Sequence, residues 1–430
     1  MTFNRAFCQY PVCGPSRASM LSGLYPESTG VLDNNADIRQ TRPNTLSLPQ
    51  HFKQNGYWTA AVGKVFHNQK ADHGDLAWNE SPEWFQNDEL PLATEARKKF
   101  EAEHGSVDKA ENRRQWREVL KAVTDPLDAQ TPPGHGRSGL RDEQHKDGKN
   151  VRQVASWLSE KAYGDKPFFI ALGIQKPHVP FLAPDKYFDL YPVDEIPFHR
   201  DDANLWDTIP RDAISGRYKD FGFVLGEENI ARRQTFMQAY HACVSFIDAQ
   251  LEIVFAQLKA QGLWDNTIIV LTSDHGYHLG DHFLWGKVTL FDIGAKVPMI
   301  IRVPGMTVAG SRSDAMVELV DLYPTLTELA DLEVPKHLQG SSIVPILSGS
   351  SQTGQKSYTY TVVSRGNYLG YAIRNQEWRY GKWLHGEELY DLRNDPHERN
   401  NLANDSKYED RLNELRKVLA QKQLHAQAQR

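Results

Sequence analysis

The sequence predicts an α/β fold in which a mostly parallel central sheet is flanked by helices, followed by a small C-terminal antiparallel sheet plus helix. Two observations lead to this prediction. Short β-branched and aromatic runs alternate with longer helical patterns as far as Pro345, as in layered α/β proteins. Beyond that point the pattern changes to closely spaced strands. We therefore predict a large domain over residues 1–350, with a charge-rich insertion near 80–150, and a C-terminal subdomain over 351–430.

The strands of the central sheet are predicted from four apolar runs. These runs are Tyr57–Val62, Pro167–Ile174, Thr267–Thr272 and Val297–Val303. The second and third are continuously apolar, which is typical of strands covered on both faces. In the C-terminal part, strands are predicted over Ser357–Val363, Tyr368–Ile373 and Trp378–Trp383.

A long helix is predicted over residues 229–261, because apolar side chains recur there every three or four positions. These side chains are Phe236, Tyr240, Val244, Ile247, Leu251, Val254 and Leu258. Cys243 lies beside this stripe and is predicted to be a core residue. Two further helical segments are predicted, at Glu95–Val123 within the insertion and at Lys407–Gln423.

Composition and charge exclude several classes of protein. The 430 residues include 49 Lys and Arg against 55 Asp and Glu, a formal charge of −6, which gives no reason to expect a nucleic acid or an anionic membrane as partner. No run approaches the roughly 18 to 20 apolar residues of a membrane span. Three cysteines are too few for a disulfide framework. Residues 1–7 read like the middle of a fold, so the compartment stays open.

The sharpest local signal is the segment Cys13-Gly14-Pro15-Ser16-Arg17. A helix of small and apolar residues begins near Ser16, which places Cys13 at a helix N-terminus, where an anion is favoured. Arg17 adds a cation one turn into the helix. A thiol in this position is expected to have a lowered pKa and to be nucleophilic. The alternative is that Cys13 is only a buried turn residue.

Three further groups of polar residues follow predicted strands, where the active sites of α/β proteins collect. Lys64 and His67 come after the first strand, and His178 lies in a proline-rich turn after the second. Asp274 and His275 end the third, and Lys287 follows a dozen residues later. Each group alone is typical of surface residues or a rigid turn. Together they predict one site.

The motif at Cys13, continued by Leu21-Ser22-Gly23, resembles the signature of the type I sulfatases of the alkaline phosphatase superfamily. The other motifs stand in the order of that family, and the segment from Glu387 to Leu402 is similar to its C-terminal part. Residues Lys64 to His67, Lys176 to His178 and Trp285 to Lys287 resemble the iduronate-2-sulfatase branch. The resemblance implies an alkaline phosphatase-like fold with a catalytic domain over 1–350. It also implies a sulfuric ester hydrolase acting on a sulfated, uronic-acid-containing polysaccharide or oligosaccharide.

The same resemblance implies roles for individual residues. A formylglycine-generating enzyme would oxidise Cys13 to formylglycine, whose hydrate attacks the sulfur of the ester. Arg17 and Lys64 would stabilise the hydrate and the sulfate, and Lys287 would bind sulfate near the leaving oxygen. His178 would protonate that oxygen and His67 would act as base in the elimination. Lys64, His178 and Lys287 would thereby contact the substrate, and Asp33 is a further candidate contact.

A divalent cation is also implied, calcium or else magnesium, held by the residue-13 oxygen, Asp274 and His275. Members of the family supply two more aspartates from a first strand, but no acidic residue precedes Cys13 and Asp201-Asp202 lies far downstream. We therefore expect the N-terminal first strand to be missing, so that the large domain is truncated. If the missing part carries a signal peptide, a periplasmic, secreted or lysosomal location follows from the family.

Other functions remain open on the sequence alone. A phosphatase or a phosphonate monoester hydrolase of the same superfamily would meet the same tetrahedral anion. A non-catalytic carbohydrate-binding relative would keep Cys13 unmodified. An enzyme with a plain cysteine nucleophile would be inactivated by alkylating agents.

Overall fold

The computed structural model describes residues 1–67, 74–82, 91–107, 109, 111–128, 134–197, 201, 204–215, 230–351 and 356–428. Its strands are β1 (Thr2–Phe7), β2 (Trp58–Gly63), β3 (His135–Arg137), β4 (Phe168–Gly173), β5 (Phe181–Ala183), β6 (Ile269–Thr272), β7 (His278–Leu279), β8 (Trp285–Gly286), β9 (Lys296–Arg302), β10 (Arg312–Ser313), β11 (Val317–Glu318), β12 (Thr359–Arg365), β13 (Tyr368–Arg374), β14 (Trp378–Trp383) and β15 (Gly386–Asp391).

The longer helices are α1 (Cys13–Ser22), α2 (Leu48–Gln54), α3 (Pro91–His104), α4 (Arg113–Asp128), α5 (Lys146–Ser159), α6 (Ile230–Ala260), α7 (Leu322–Leu329) and α8 (Glu409–Gln427). Single helical turns occur at Pro26–Thr29, Ile38–Thr41, Gly74–Ala77, Asp185–Phe188, Asp292–Ala295 and Val344–Leu347. None of the helices in the described ranges is long and apolar enough to cross a bilayer.

The mixed α/β architecture with a helix-flanked central sheet is confirmed, as is the small C-terminal antiparallel sheet. Strands β2 and β4 pair in parallel as a separate two-stranded sheet, and in a five-stranded sheet with the order β10, β1, β9, β6 strand β1 also pairs in parallel with β10 and β11. Strand β9 instead runs antiparallel to both β1 and β6. The chain returns from β6 to β9 through the β7–β8 hairpin and one helical turn. Without a crossover helix of the usual kind the returning strand is antiparallel, so the sheet is mixed.

Strands β4 and β6 are more exposed than their apolar sequences predict, since all their residues are partly accessible. Among the described residues β4 pairs with β2 alone and β6 with β9 alone, so each strand has one edge without a ladder partner. The predicted covering on both faces is present, because alternate side chains of β4, and likewise of β6, pack into two different apolar clusters. The cluster on the face shared by both strands includes Val151, Trp157 and Val254 from α5 and α6.

The long helix α6 confirms the prediction over residues 229–261, with a rotated buried face. Its buried side chains include Phe236, Cys243 and Phe246, so Cys243 is a core residue as expected. Val244 was predicted to lie on the buried stripe, which is wrong, since its side chain is 41% exposed. The helix packs against α5 and β5. Strand β5, which begins at Phe181, therefore covers part of the buried side of α6.

The insertion holds two helices where one was predicted, because the chain turns at Gly105 between α3 and α4 with a φ of 78°. The two helices share a small apolar cluster that includes Phe100 and Trp116. Helix α5 has no counterpart among the predicted helices, and it packs on β2. The predicted end of the insertion, near residue 150, therefore lies inside a helix of the core. The boundary between the two predicted domains at residue 350 stays a prediction.

The C-terminal sheet runs in the order β12, β13, β14, β15 with every pair antiparallel. It shares a single apolar cluster with the rest of the protein, in which Tyr360 and Tyr380 meet Tyr25 and Phe291. A buried Lys356 ammonium joins the two parts, with Nζ 2.5 Å from carboxylate oxygens of both Glu318 and Asp321. The C-terminal sheet thus packs on the large domain through this apolar cluster and these ion pairs.

Candidate active site

Helix α1 begins at Cys13, three residues earlier than the sequence predicts. Val12 is extended, and the Gly14 N–H, one of the free amides of the first turn, donates to Asn34 Oδ1 at 2.8 Å. A β-carbon on Gly14 would lie 2.9 Å from that same oxygen. The segment after α1 therefore packs against its N-terminus, and Cys13 lies at the positive end of the helix.

The Cys13 sulfur is surrounded by nitrogen atoms. Lys287 Nζ lies 2.8 Å from Sγ and 3.0 Å from His275 Nε2, and His275 Nε2 lies 3.3 Å from Sγ. His178 also forms a hydrogen bond to the thiol. The fold thus brings to one point residues that lie as much as 274 positions apart in the chain.

These contacts control the charge of residue 13. Burial would raise the pKa of the Cys13 thiol, but hydrogen bonds with His178 and His275 and the Lys287 charge lower it to about 3. The surroundings of this side chain therefore stabilise a negative charge. A sulfate ester or a sulfate ion carries the same charge sign.

The two histidines present their Nε2 atoms to this site. In His275, Nδ1 lies 2.8 Å from the Gly276 carbonyl oxygen, and in His178, Nδ1 lies 2.7 Å from the Val179 carbonyl oxygen. A carbonyl accepts, so each Nδ1 carries the proton and each Nε2 has a free lone pair when the ring is neutral. Both rings are thereby oriented by the backbone of their own loops.

Arg17 and Asp274 form the base of the site. Arg17 Nε lies 2.7 Å from Asp274 Oδ2, and its Nη1 donates to the Val65 carbonyl at 2.9 Å and to that of Lys64. Although burial opposes it, the Arg17 charge holds the pKa of Asp274 well below its usual value. Arg17 therefore connects α1 with the segments that follow β2 and β6, two strands that belong to different sheets.

Lys64 and His67 follow β2, in the loop that Arg17 holds. Burial lowers the pKa of Lys64, and the Arg17 charge acts in the same direction. Burial, then the Lys64 charge, lowers the pKa of His67, which also interacts electrostatically with Cys13. His67 Nδ1 is buried and has no hydrogen-bond partner in the part of the chain that the structure describes. Within the described residues, no protein group therefore uses the hydrogen-bonding capacity of this nitrogen.

The loop that carries His178 is fixed from below by Asp147 of α5. The two carboxylate oxygens of Asp147 accept the N–H groups of Gln175 and Lys176, each at 2.8 Å. Lys176 Nζ in turn donates to the Pro180 carbonyl at 2.8 Å. Because the buried carboxylate lies directly beneath the loop, its position determines where His178 is presented. Asp147 was not among the site residues predicted from the sequence. Its only signal there is its position in the first turn of α5, and that helix was itself not predicted.

Cys13, Asp274 and His275 form the candidate cation site. One ligand atom from each lies within 4.8 Å of the others, and no other such group occurs within the described ranges. Cys13 Sγ and His275 Nε2 both accept hydrogen bonds from the Lys287 ammonium, so the lone pairs of these two atoms point towards the same place. A carboxylate, an imidazole lone pair and a negative residue 13 therefore fit a bound divalent cation.

Three other aspartates named in the sequence analysis, Asp33, Asp201 and Asp202, are not part of this group. Asp33 is exposed, and its Oδ1 accepts the N–H groups of Asn35 at 2.7 Å and Ala36 at 2.9 Å. It shapes the turn after α1, and its contact with substrate stays a prediction. Its neighbour Asn34 is the residue of this segment that contacts α1. Asp201 binds Arg399 at 2.9 Å and Asp202 lies outside the described residues.

Comparison with protein families gives two matches. The family described as "Sulfatase" matches residues 1–332, and the family described as "N-sulphoglucosamine sulphohydrolase, C-terminal" matches residues 280–425. Together they extend over both parts of the fold and include each residue placed at the site above.

Individual proteins agree with these matches. A sulfatase of Formosa agariphila is 31% identical over 97% of this chain and 79% of its own length. The human iduronate 2-sulfatase is 29% identical over 94% of this chain and 85% of its own. Among solved structures, a phosphonate monoester hydrolase from Silicibacter pomeroyi superposes with a TM-score of 0.79 at 21% identity, covering 99% of this chain and 88% of its own. BT4656 in complex with its substrate D-glucosamine-2-N,6-O-disulfate reaches 0.72 at 21% identity, covering 99% and 91%.

Proposed function

The chain belongs to the sulfatase family and is a sulfuric ester hydrolase, and we propose that it removes sulfate from a uronic-acid-containing polysaccharide or oligosaccharide. The observation that carries this proposal is the arrangement around Cys13. The helix N-terminus and Lys287 both favour an anion there, while Lys64 lies within electrostatic range. A transferring sulfuryl group requires this convergence of positive charge.

The attacking group we propose is formylglycine formed from Cys13. Its hydrate carries two hydroxyls on one carbon. One hydroxyl attacks the sulfur of the ester and the sugar hydroxyl leaves. The second hydroxyl then loses its proton, the carbon–oxygen bond to sulfate breaks, and the aldehyde is restored. Covalent catalysis of this kind divides one difficult displacement into two steps.

The two histidines divide the proton transfers. His178 Nε2, which faces residue 13, is placed to donate a proton to the leaving sugar oxygen once the ring is protonated. His67 has a lowered pKa and a buried ring nitrogen without a partner in the described ranges, which suits it to accept the proton in the elimination. Lys287 would hold a sulfate oxygen beside residue 13.

We propose calcium as the first candidate for the cation, with magnesium as the second, held by Cys13, Asp274 and His275. When bound, such an ion would hold a negative oxygen at residue 13 and neutralise charge on the sulfuryl group. Arg17 would keep the Asp274 carboxylate ionised for this purpose.

The substrate class is supported by the relatives. The human protein at 29% identity is an iduronate 2-sulfatase. The phosphonate monoester hydrolase has the same fold at 21% identity, which supports no more than the fold.

The test uses the protein co-expressed with a formylglycine-generating enzyme. Mass spectrometry of the Cys13 peptide should show sulfur replaced by oxygen with the loss of two hydrogens. This preparation should release sulfate from 2-O-sulfated uronic acid oligosaccharides, and Cys13→Ala should not. Preference for a phosphate monoester or a phosphonate monoester over every sulfated sugar would contradict the proposal. An intact thiol with undiminished turnover would contradict the formylglycine step.

A further inference from the structure

We propose that Arg365, on strand β12 of the C-terminal sheet, is a positioning residue that holds Lys287 beside residue 13. The inference rests on the proposed function, since it gives Lys287 a sulfate to bind. It makes the C-terminal sheet part of the active site, although Arg365 itself does not touch the reacting atoms. The two residues are joined through the backbone of Val288.

The guanidinium of Arg365 is held at several points. Its Nη2 donates to the Val288 carbonyl at 2.7 Å, and its Nε donates to the Asp212 carbonyl at 2.7 Å. The flat face lies over the ring of Trp383, with 5.1 Å between Cζ and the ring centroid. A planar group with donors in fixed directions, stacked on an aromatic ring, has little freedom. The Val288 carbonyl is therefore bound to a rigid donor.

Val288 has a backbone conformation that its residue type disfavours. Its φ is 75°, in the left-handed region, which a β-branched side chain rarely adopts. Such a conformation persists only where surrounding contacts impose it, and it clusters at functional sites. Two contacts impose it here, from Arg365 to the Val288 carbonyl and from the Val288 N–H to the Pro11 carbonyl at 3.2 Å. Pro11 lies two residues before Cys13.

These contacts define where Lys287 points. The residue precedes Val288, and its Nζ lies 2.8 Å from Cys13 Sγ. If the carbonyl contact is lost, Val288 can return to a negative φ, which rotates the peptide that joins it to Lys287. The ammonium would then move away from residue 13, while the Pro11 contact alone leaves the segment free to turn. Arg365 thus acts on the reaction through Lys287.

The alternative is that Arg365 only fastens the C-terminal sheet. A merely structural role predicts that replacing Arg365 lowers stability and that its effect on activity is independent of Lys287. A positioning role predicts that the two effects are not independent. Residues that act through one group show non-additive effects, which a double-mutant cycle measures.

The experiment compares Arg365→Ala, Lys287→Ala and the double variant, using sulfate release by the matured enzyme. We expect Arg365→Ala to lower kcat/KM by about tenfold to a hundredfold, because a small displacement of a charged group has effects of that size. In the Lys287→Ala background the same change should have almost no further effect. Arg416→Ala is the matched control, because Arg416 of α8 pairs with Glu387 and Glu409 rather than with the 287–288 loop.

Two further measurements keep the result interpretable. Arg365→Lys retains one donor and should recover part of the activity, and it serves if the alanine variant does not fold. The same double-mutant cycle is repeated on the unmodified proteins, with the affinity for inorganic sulfate measured by calorimetric titration instead of turnover. If the wild type binds sulfate but hydrolyses no sulfate ester, the proposed function fails while the sulfate cycle still tests Arg365. Effects of Arg365→Ala and Lys287→Ala that multiply, or an Arg365→Ala variant as active as wild type, would overturn the inference.

Discussion

At residue 13 the protein places a buried side chain among groups that stabilise a negative charge. A buried ion is costly unless it is paired, and here the Lys287 ammonium lies 2.8 Å from Cys13 Sγ and two histidines form hydrogen bonds with it. The same set of groups suits the sulfuryl group that would occupy the site, because its charge has the same sign. The groups that lower the pKa of the thiol are thus the groups that would stabilise a bound sulfuryl group.

His67 should make the activity persist in mildly acidic solution. Its pKa is lowered by burial and by the Lys64 charge, so the ring stays neutral, and able to accept a proton, below the ordinary histidine value. We expect the acid limb of the pH profile of kcat/KM to lie below about pH 6.5. In His67→Gln we expect kcat/KM to fall by about a hundredfold or more. His104→Gln, in the insertion, is the control. An acid limb above that value, or one that is unchanged in His67→Gln, would show that another group is the base.

Among the elements, the site depends on how three strand ends approach each other. Gly63 and Gly173 end the paired strands β2 and β4, and a β-carbon on Gly173 would overlap the backbone of Lys64. No side chain fits there, so the loops with Lys64 and His178 can leave the sheet side by side. Helix α5 then supports the second loop through Asp147.

Replacing Asp147 should show how strongly α5 controls His178. Asp147→Asn keeps one acceptor oxygen and turns an amide towards a backbone N–H that has lost its acceptor. We expect the free energy of unfolding to fall by about 1 to 3 kcal/mol, with a loss of about tenfold in kcat/KM as His178 shifts. Urea denaturation and steady-state kinetics measure the two effects. The exposed Asp165→Asn is the matched control, and wild-type kinetics in Asp147→Asn would show that the loop is held by other contacts.

Across the whole molecule, the C-terminal sheet is joined to the rest of the protein by contacts that are both apolar and ionic. The cluster around Tyr25 and Tyr360 contains side chains of both parts, and Lys356 forms ion pairs with Glu318 and Asp321. Because the two parts share this core, we expect the protein to unfold in a single transition.

The Lys356 ion pairs provide a test of that junction. Lys356→Met would leave two buried carboxylates without their cation, and breaking a buried pair in this way costs about 3 to 5 kcal/mol. We expect the urea midpoint to fall accordingly with one transition retained. Lys407→Met, at an exposed position in the C-terminal part, should change it little. Two separate transitions in the wild type would contradict the single-unit description.

Much of the site could be predicted from the sequence. Local sequence patterns predict the helix and strands that lie next to the main site residues, Cys13, Lys64, His178 and Asp274. The ends of strands in an α/β fold then collect at one edge of the sheet. The direction of β9 could not be predicted in this way, because strand periodicity is the same in both directions. Nor could the split of the insertion into α3 and α4, since one glycine in a polar helical pattern does not by itself require a turn.

The order of residues along the chain was enough to indicate that an anion-binding group at a helix start would meet cations and histidines from three strand ends. Folding was needed to establish which nitrogen each histidine presents, that Asp147 supports the loop with His178, that Asn34 contacts the start of α1, and that Arg365 holds Val288. The cause of this division is distance along the chain. Periodicity and turn chemistry act between near neighbours, whereas the Arg365 contact joins residues 77 positions apart and is created only when the sheets pack.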